Sequence, residues 1–85
     1  MHLLMEQGEY REAVRVGRRI LECDPLREEV HRAIMRCHHC LGQRAQGVRQ
    51  FQSCSNLLQK EMGIRPMPET FTLYRQMVLD GFIEM

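Results

Sequence analysis

The chain has 85 residues, 44% hydrophobic and 27% charged, with a formal net charge of +1. A fold of this length buries only roughly 60–65% of the surface its unfolded chain exposes, which leaves no room for a core together with a large catalytic cleft. The near-average composition excludes a disordered tail, no apolar run reaches the roughly 18 residues of a membrane span, and neither half is basic enough to bind nucleic acid by itself.

Met1–Gln7 reads as the tail of a first helix. Tyr10, Ala13, Val14, Gly17, Ile20 and Leu21 then fall on one apolar stripe of 3.6 period and predict a helix over 10–23, with Arg11, Arg15, Arg18, Arg19 and Glu22 on its solvated face. Asp24 is expected to cap the next helix, with Pro25 at its first position and Glu28 and Glu29 where the helix dipole favours negative charge. That helix is predicted over 26–41. Its stripe is Val30, Ala33, Ile34, Cys37 and Leu41, with Glu28, Arg32 and Arg36 stepping four residues apart along the outside. Gly42 stops it. Val48, Phe51, Ser55, Leu58 and Met62 predict a helix over 44–62, and Gly63 supplies the positive φ that ends it. Ile64-Arg65-Pro66-Met67-Pro68 breaks the helical pattern, because each proline pushes the residue before it into an extended conformation. Pro68 opens a last helix, with Glu69 in its first turn and an apolar face of Phe71, Tyr74, Met77 and Val78.

Gly8 and Gly42 stand 34 residues apart, and at this offset Val14 meets Val48, Arg15 meets Arg49, and small Ala13 meets small Gly47. An interval of about 34 residues is the period of the tetratricopeptide helix–turn–helix. The expected fold is therefore all-α: one domain over 1–85 of tetratricopeptide-like antiparallel hairpins, an α-solenoid fragment closed by a C-terminal capping helix. Solenoid repeats bury their stripes only against neighbours, and about three are normally needed. With its first helix so short, the chain is expected to leave Leu3, Leu4, Met5 and Tyr10 poorly covered. These four residues are the candidate protein interface. Met1 is then expected to be an internal start, and the exposed end to meet either an upstream domain or a second copy, giving a homodimer.

Three stretches carry a resemblance. Asp24-Pro25-Leu26-Arg27-Glu28-Glu29-Val30-His31-Arg32 with Met35-Arg36, then Gly42 to Phe51, and finally Glu61-Met62-Gly63-Ile64-Arg65-Pro66-Met67-Pro68-Glu69-Thr70 with Leu73-Tyr74 closely resemble the bacterial transcriptional activator domain. The likeness covers roughly residues 3–79 and points to the activators of the Streptomyces antibiotic regulatory protein type, whose domain this chain resembles in its C-terminal half. It implies a tetratricopeptide-like domain placed after a winged-helix DNA-binding domain, serving dimerisation, regulation and contact with the transcription machinery, with no catalytic residue, no cofactor and no direct contact with DNA or membrane. Met67 departs from the pattern where a polar N-cap is usual, which should cost about 1 kcal/mol. Gly47 replaces the usual alanine, at roughly another 1 kcal/mol.

Cys37-His38-His39-Cys40 is the third departure. All four residues are competent zinc ligands, but successive helical positions fan out by about 100°, so that only Cys37 and Cys40 share a face and Cys54 is the nearest further candidate. The preferred reading packs Cys37 in the core and leaves His38 and His39 at the helix margins; a metal-sensing domain stays open as a minor alternative. Redox use is disfavoured because the last turns of a helix raise a thiol pKa. With no secretory leader in Met1-His2-Leu3-Leu4-Met5-Glu6, the chain is expected in the cytoplasm with four free thiols. Met35, Met62 and Met77 are expected in the core, with Met1, Met5 and Met85 near the termini. An adaptable methionine surface on the first helix is the alternative. His31 is expected to be packed and hydrogen-bonded, and Arg32, Arg36, Arg44 and Arg49 to be solvated among Glu28 and Glu29. Nucleotide, metalloprotease and hydrolase motifs are all missing, so no catalytic, cofactor-binding or metal-binding residue is assigned. A free-standing tetratricopeptide adaptor that binds a partner peptide is the alternative to the activator module.

Overall fold

The computed structural model describes the backbone of residues 1–83 and the side chains of residues 1–79. Five helices follow one another, α1 (His2–Glu6), α2 (Tyr10–Cys23), α3 (Glu28–Cys40), α4 (Arg44–Met62) and α5 (Pro68–Ile83), with no strand among the described residues. Helices α2 and α4 occupy the residues that their apolar periodicity predicts. Met85 lies outside the described residues.

The hairpins are antiparallel. Position 17 of α2 faces Ile34 of α3, and Tyr10 at the start of α2 reaches Cys40 at the end of α3. In the same way Gln50 of α4 reaches back to His31, and Gly47 of α4 meets Met77 of α5. Helix α5 also lies along α3, with Thr70 beside Glu28 and Arg32, so the two run in the same direction as the first helices of successive repeats do. The repeat is visible in its turns. Gly8 and Gly42 adopt φ of 76° and 71°. Each closes its helix with the same pair of bonds: Gly8 N–H to Met5 O and Glu9 N–H to Leu4 O, then Gly42 N–H to His39 O and Gln43 N–H to His38 O. This is the Schellman arrangement, in which only glycine takes the left-handed position without strain.

Two apolar clusters lie on either side of α3. Ala13, Val14, Val30, Ile34 and Cys37 join α2 to α3, with Met1, Leu4, Met5, Tyr10, Ile20 and Leu21 packed around them. Met35, Phe51, Leu73 and Met77 join α3, α4 and α5, and there the Phe51 ring stacks on Tyr74 at 4.2 Å and meets Phe71 edge-on at 5.4 Å.

Because α3 is the middle layer, it is buried on more than its predicted stripe. Glu28, His31, Met35 and His38 are buried as well, and Arg32 is nearly so, so that of the charges expected along its outside only Arg36 faces solvent. The start of α3 also departs from expectation. Asp24 is the C-cap of α2, Pro25 and Leu26 form a turn, the helix begins at Glu28, and its N-cap is Arg27, with no side-chain cap bond. Pro25 serves instead as an acceptor, its carbonyl taking a 2.8 Å hydrogen bond from His31 Nε2. Met62, expected in the core, is exposed, because it ends α4 in a last turn, residues 59–62, that faces solvent all round.

Candidate protein-interaction surfaces

The leading edge is built by α1 on the first turns of α2. Leu4, Met5 and Tyr10 are half-buried against the α2–α3 cluster, whereas Leu3 points outward and is 65% exposed. Three of the four candidate interface residues thus share one cluster, with the fourth on its outer rim. The Tyr10 hydroxyl stands beside the Cys40 thiol, which holds its pKa above the ordinary tyrosine value.

At the opposite end of α3 a polar knot ties α5 in place. Glu28 Oε2 accepts the Met67 backbone N–H at 2.6 Å and the Thr70 hydroxyl. Arg32 donates to Thr70 Oγ1 at 3.0 Å and stands 3.6 Å from Glu28 and 3.8 Å from Glu69. Met67 has no side-chain acceptor for the first N–H groups of α5, but the Glu28 carboxylate of α3 takes the N–H of Met67 itself at the positive end of that helix. This bond offsets part of the capping cost expected from the sequence.

The Cys37-His38-His39-Cys40 run is dispersed. Cys37 is buried in the core, Cys40 is exposed beside Tyr10, and His39 is exposed. His38, expected at a helix margin, is buried: its Nδ1 donates to Gln43 Oε1 at 2.9 Å, and its Nε2 is enclosed without a partner. Cys54 lies at the other end of α3, near Glu28 and Arg32. Among the described residues, no three His, Cys, Asp or Glu side chains are grouped to hold a metal ion. All four cysteines are free thiols.

A further surface has no counterpart in the sequence motifs. Between α2 and α4 runs a cleft with two lobes that share Arg18. One lobe, of 310 Å³, is lined by Arg18, Leu21, Glu22, Pro25, His31 and Leu57. The other, of 290 Å³, is lined by Arg18, Gln46, Arg49, Gln50 and Ser53. His31 is buried and hydrogen-bonded as expected: with Nε2–H given to Pro25 O, Nδ1 accepts from Gln50 Nε2 at 2.7 Å. No local pattern marks this cleft, since Arg18 and Arg49 on its two walls are 31 residues apart in sequence and meet only through the packing of α2 and α4 around α3.

A stack of antiparallel hairpins with a repeated glycine turn defines an all-α helical-repeat domain, and no helix among the described residues is long and apolar enough to cross a membrane. The family model of the bacterial transcriptional activator domain matches residues 1–78. The chain belongs to that family, a regulatory one. Comparison with curated proteins and with solved structures gives no match.

Proposed function

We propose that the chain is a non-catalytic regulatory module of a cytoplasmic transcription activator, of the Streptomyces antibiotic regulatory protein type, that works through protein contacts. DNA is read by another domain of the activator. The observation that carries this reading is the family match over residues 1–78, nearly the whole chain. The leading edge gives it a surface: Leu3 stands exposed beside half-buried Leu4, Met5 and Tyr10, so a second copy or an upstream domain laid there would complete the cover of the α2–α3 cluster. Self-association through this edge makes the isolated chain a homodimer.

Sedimentation velocity at micromolar concentration tests the proposal. The wild-type chain is expected to sediment as a dimer and Leu3→Ser as a folded monomer. A compact wild-type monomer would refute self-association.

A further inference from the structure

We infer that the cleft between α2 and α4 is a docking site for an extended acidic peptide, one that seats an aliphatic side chain beside a carboxylate. The inference rests on the reading of the chain as a protein-interaction module, and it uses none of the leading-edge residues.

Charge comes first. Arg15, Arg27 and Arg32 are each held in an ion pair, with Glu12, Glu29 and Glu28 respectively. Arg18 and Arg49 have no acidic partner among the described residues, yet they come from two different helices to line the same polar lobe. No acidic residue lines that lobe. Two guanidinium groups flanking one hollow suit a carboxylate, which accepts charge-assisted hydrogen bonds from both sides.

Gln50, between the arginines and the cleft floor, is only 7% exposed, and its amide is fixed by the bond to His31 Nδ1. His31 is fixed in turn by Pro25 O. The polar floor therefore needs little ordering when a ligand arrives, which saves side-chain entropy on binding.

The adjoining lobe selects the rest of the ligand. Leu21, Pro25 and Leu57 give it apolar walls suited to an aliphatic side chain, and Glu22 at its rim repels a second acid there. The peptide is thereby oriented, with its carboxylate toward Arg49 and its aliphatic residue toward Leu57. A nucleic-acid strand fits less well. Its charges recur along its whole length, whereas this cleft offers Arg49 in one lobe, Arg18 where the lobes meet, and Glu22 with an apolar wall in the other.

The test is a ¹⁵N and methyl NMR titration of the 85-residue chain with a capped hexapeptide of alternating leucine and glutamate, alongside the same peptide with glutamine in place of glutamate. The expected result is saturable shifts at Arg18, Leu21, the Gln50 side-chain amide and Leu57, with the glutamine peptide binding at least about tenfold more weakly. Arg18→Gln and Arg49→Gln, both at exposed positions, should each weaken the acidic peptide by about tenfold with the helical circular dichroism unchanged. Equal binding of the two peptides would overturn the inference, as would shifts confined to residues 3–10 or none at millimolar peptide. So would a thymidine hexanucleotide that perturbs the cleft more strongly than the peptide. A wild-type monomer that still shows the cleft shifts sinks the dimer and leaves the peptide site standing; a dimer without them does the reverse.

Discussion

Glu28 and Arg32 show how much a single pair can decide. Both are nearly buried, and Glu28 also holds Met67 and Thr70. Removing one partner of such a pair leaves the other charge enclosed, a loss of about 3–5 kcal/mol that is comparable with the whole stability of a small domain. Glu28→Ala is expected to lower the urea midpoint by that order and to release α5, read as new amide exchange over residues 68–79. Glu28→Leu with Arg32→Leu should recover part of the loss, since the Met67 N–H and the Thr70 hydroxyl still lack their acceptor, and a double variant as unstable as Glu28→Ala would show that the charge itself was not the issue. In the sequence, Glu28, Arg32 and Arg36 carry the same four-residue step whether they face water or a neighbouring helix. What separates the two cases is Thr70, 42 residues after Glu28, which no local pattern connects to it. The buried thiol beside this pair gives a pH signature. Burial, and after it the Glu28 carboxylate, push Cys54 up from 9.0 to about 11, while Arg32 pulls the other way; burial raises Cys37 too. The folded state thus holds these protons more tightly than the unfolded chain. The stabilisation is whole below about pH 9 and is lost as pH climbs through 11, on the order of 2 kcal/mol for Cys54. Urea midpoints should therefore fall between pH 9 and 11, and less steeply in Cys54→Ala; an unchanged slope in that variant would remove Cys54 as the cause. Thiol labelling at neutral pH should mark exposed Cys23 and Cys40 long before Cys37 and Cys54.

At the level of the helices, two glycines of like appearance do different work. A Cβ at Gly17 would stand 2.9 Å from Ile34 Cγ1 and 2.8 Å from Met1 Cε, and Ile34 is fully buried with its Cγ1 held close to the backbone. A Cβ at Gly47 would collide with Met77 Cε, but that is the end of a flexible chain, and the next atoms are 3.5 Å and 3.6 Å away. Alanine gains roughly 1 kcal/mol of helix propensity at either site, while overpacking a fixed side chain costs about 1–3 kcal/mol. Gly17→Ala is therefore expected to lower Tm by several degrees. Gly47→Ala should stay within about 2 °C of wild type, its propensity gain offset by the displaced methionine methyl. Equal losses in the two melts would mean that Met77 is as rigid as Ile34. The helix cost expected at Gly47 thus has a use, since the missing methyl gives Met77 its seat. The helices themselves were legible: α2 and α4 follow from their apolar period and their glycine stops. The start of α3 was not, because Asp24-Pro25 has the composition of a cap, and only the contact with His31 four helical positions in shows that Pro25 is spent as an acceptor. The cleft was illegible for a related reason, as Arg18 and Arg49 become neighbours only through the packing of α2 and α4 around α3.

The molecule as a whole is a slab of 36 × 28 × 17 Å, about two helices thick, with one cluster on each side of α3 and an apolar fringe at each end. Leu3 stands at the leading end, and Leu79, 57% exposed, on α5 at the other. A solenoid grows by adding neighbours to such ends, so both invite cover, and the proposed homodimer chooses between them. The leading end is favoured because half-buried Leu4, Met5 and Tyr10 stand beside Leu3 on a cluster that a partner would finish covering. Stability is then linked to protein concentration. Above the dissociation constant, each tenfold increase adds about 1.4 kcal/mol per dimer, or about 0.7 kcal/mol per chain, enough to raise Tm by a few degrees in a domain of this size. Melts from 1 to 100 times a dilute starting concentration should show this rise in wild type and in Leu79→Ser, and a flat Tm in Leu3→Ser. Both substitutions fall on exposed side chains, so neither removes a buried contact, and a flat Tm in Leu3→Ser reports the loss of the seam rather than of the fold. The reverse pattern, flat in Leu79→Ser and rising in Leu3→Ser, would move the seam to α5 and leave the leading edge for a different partner.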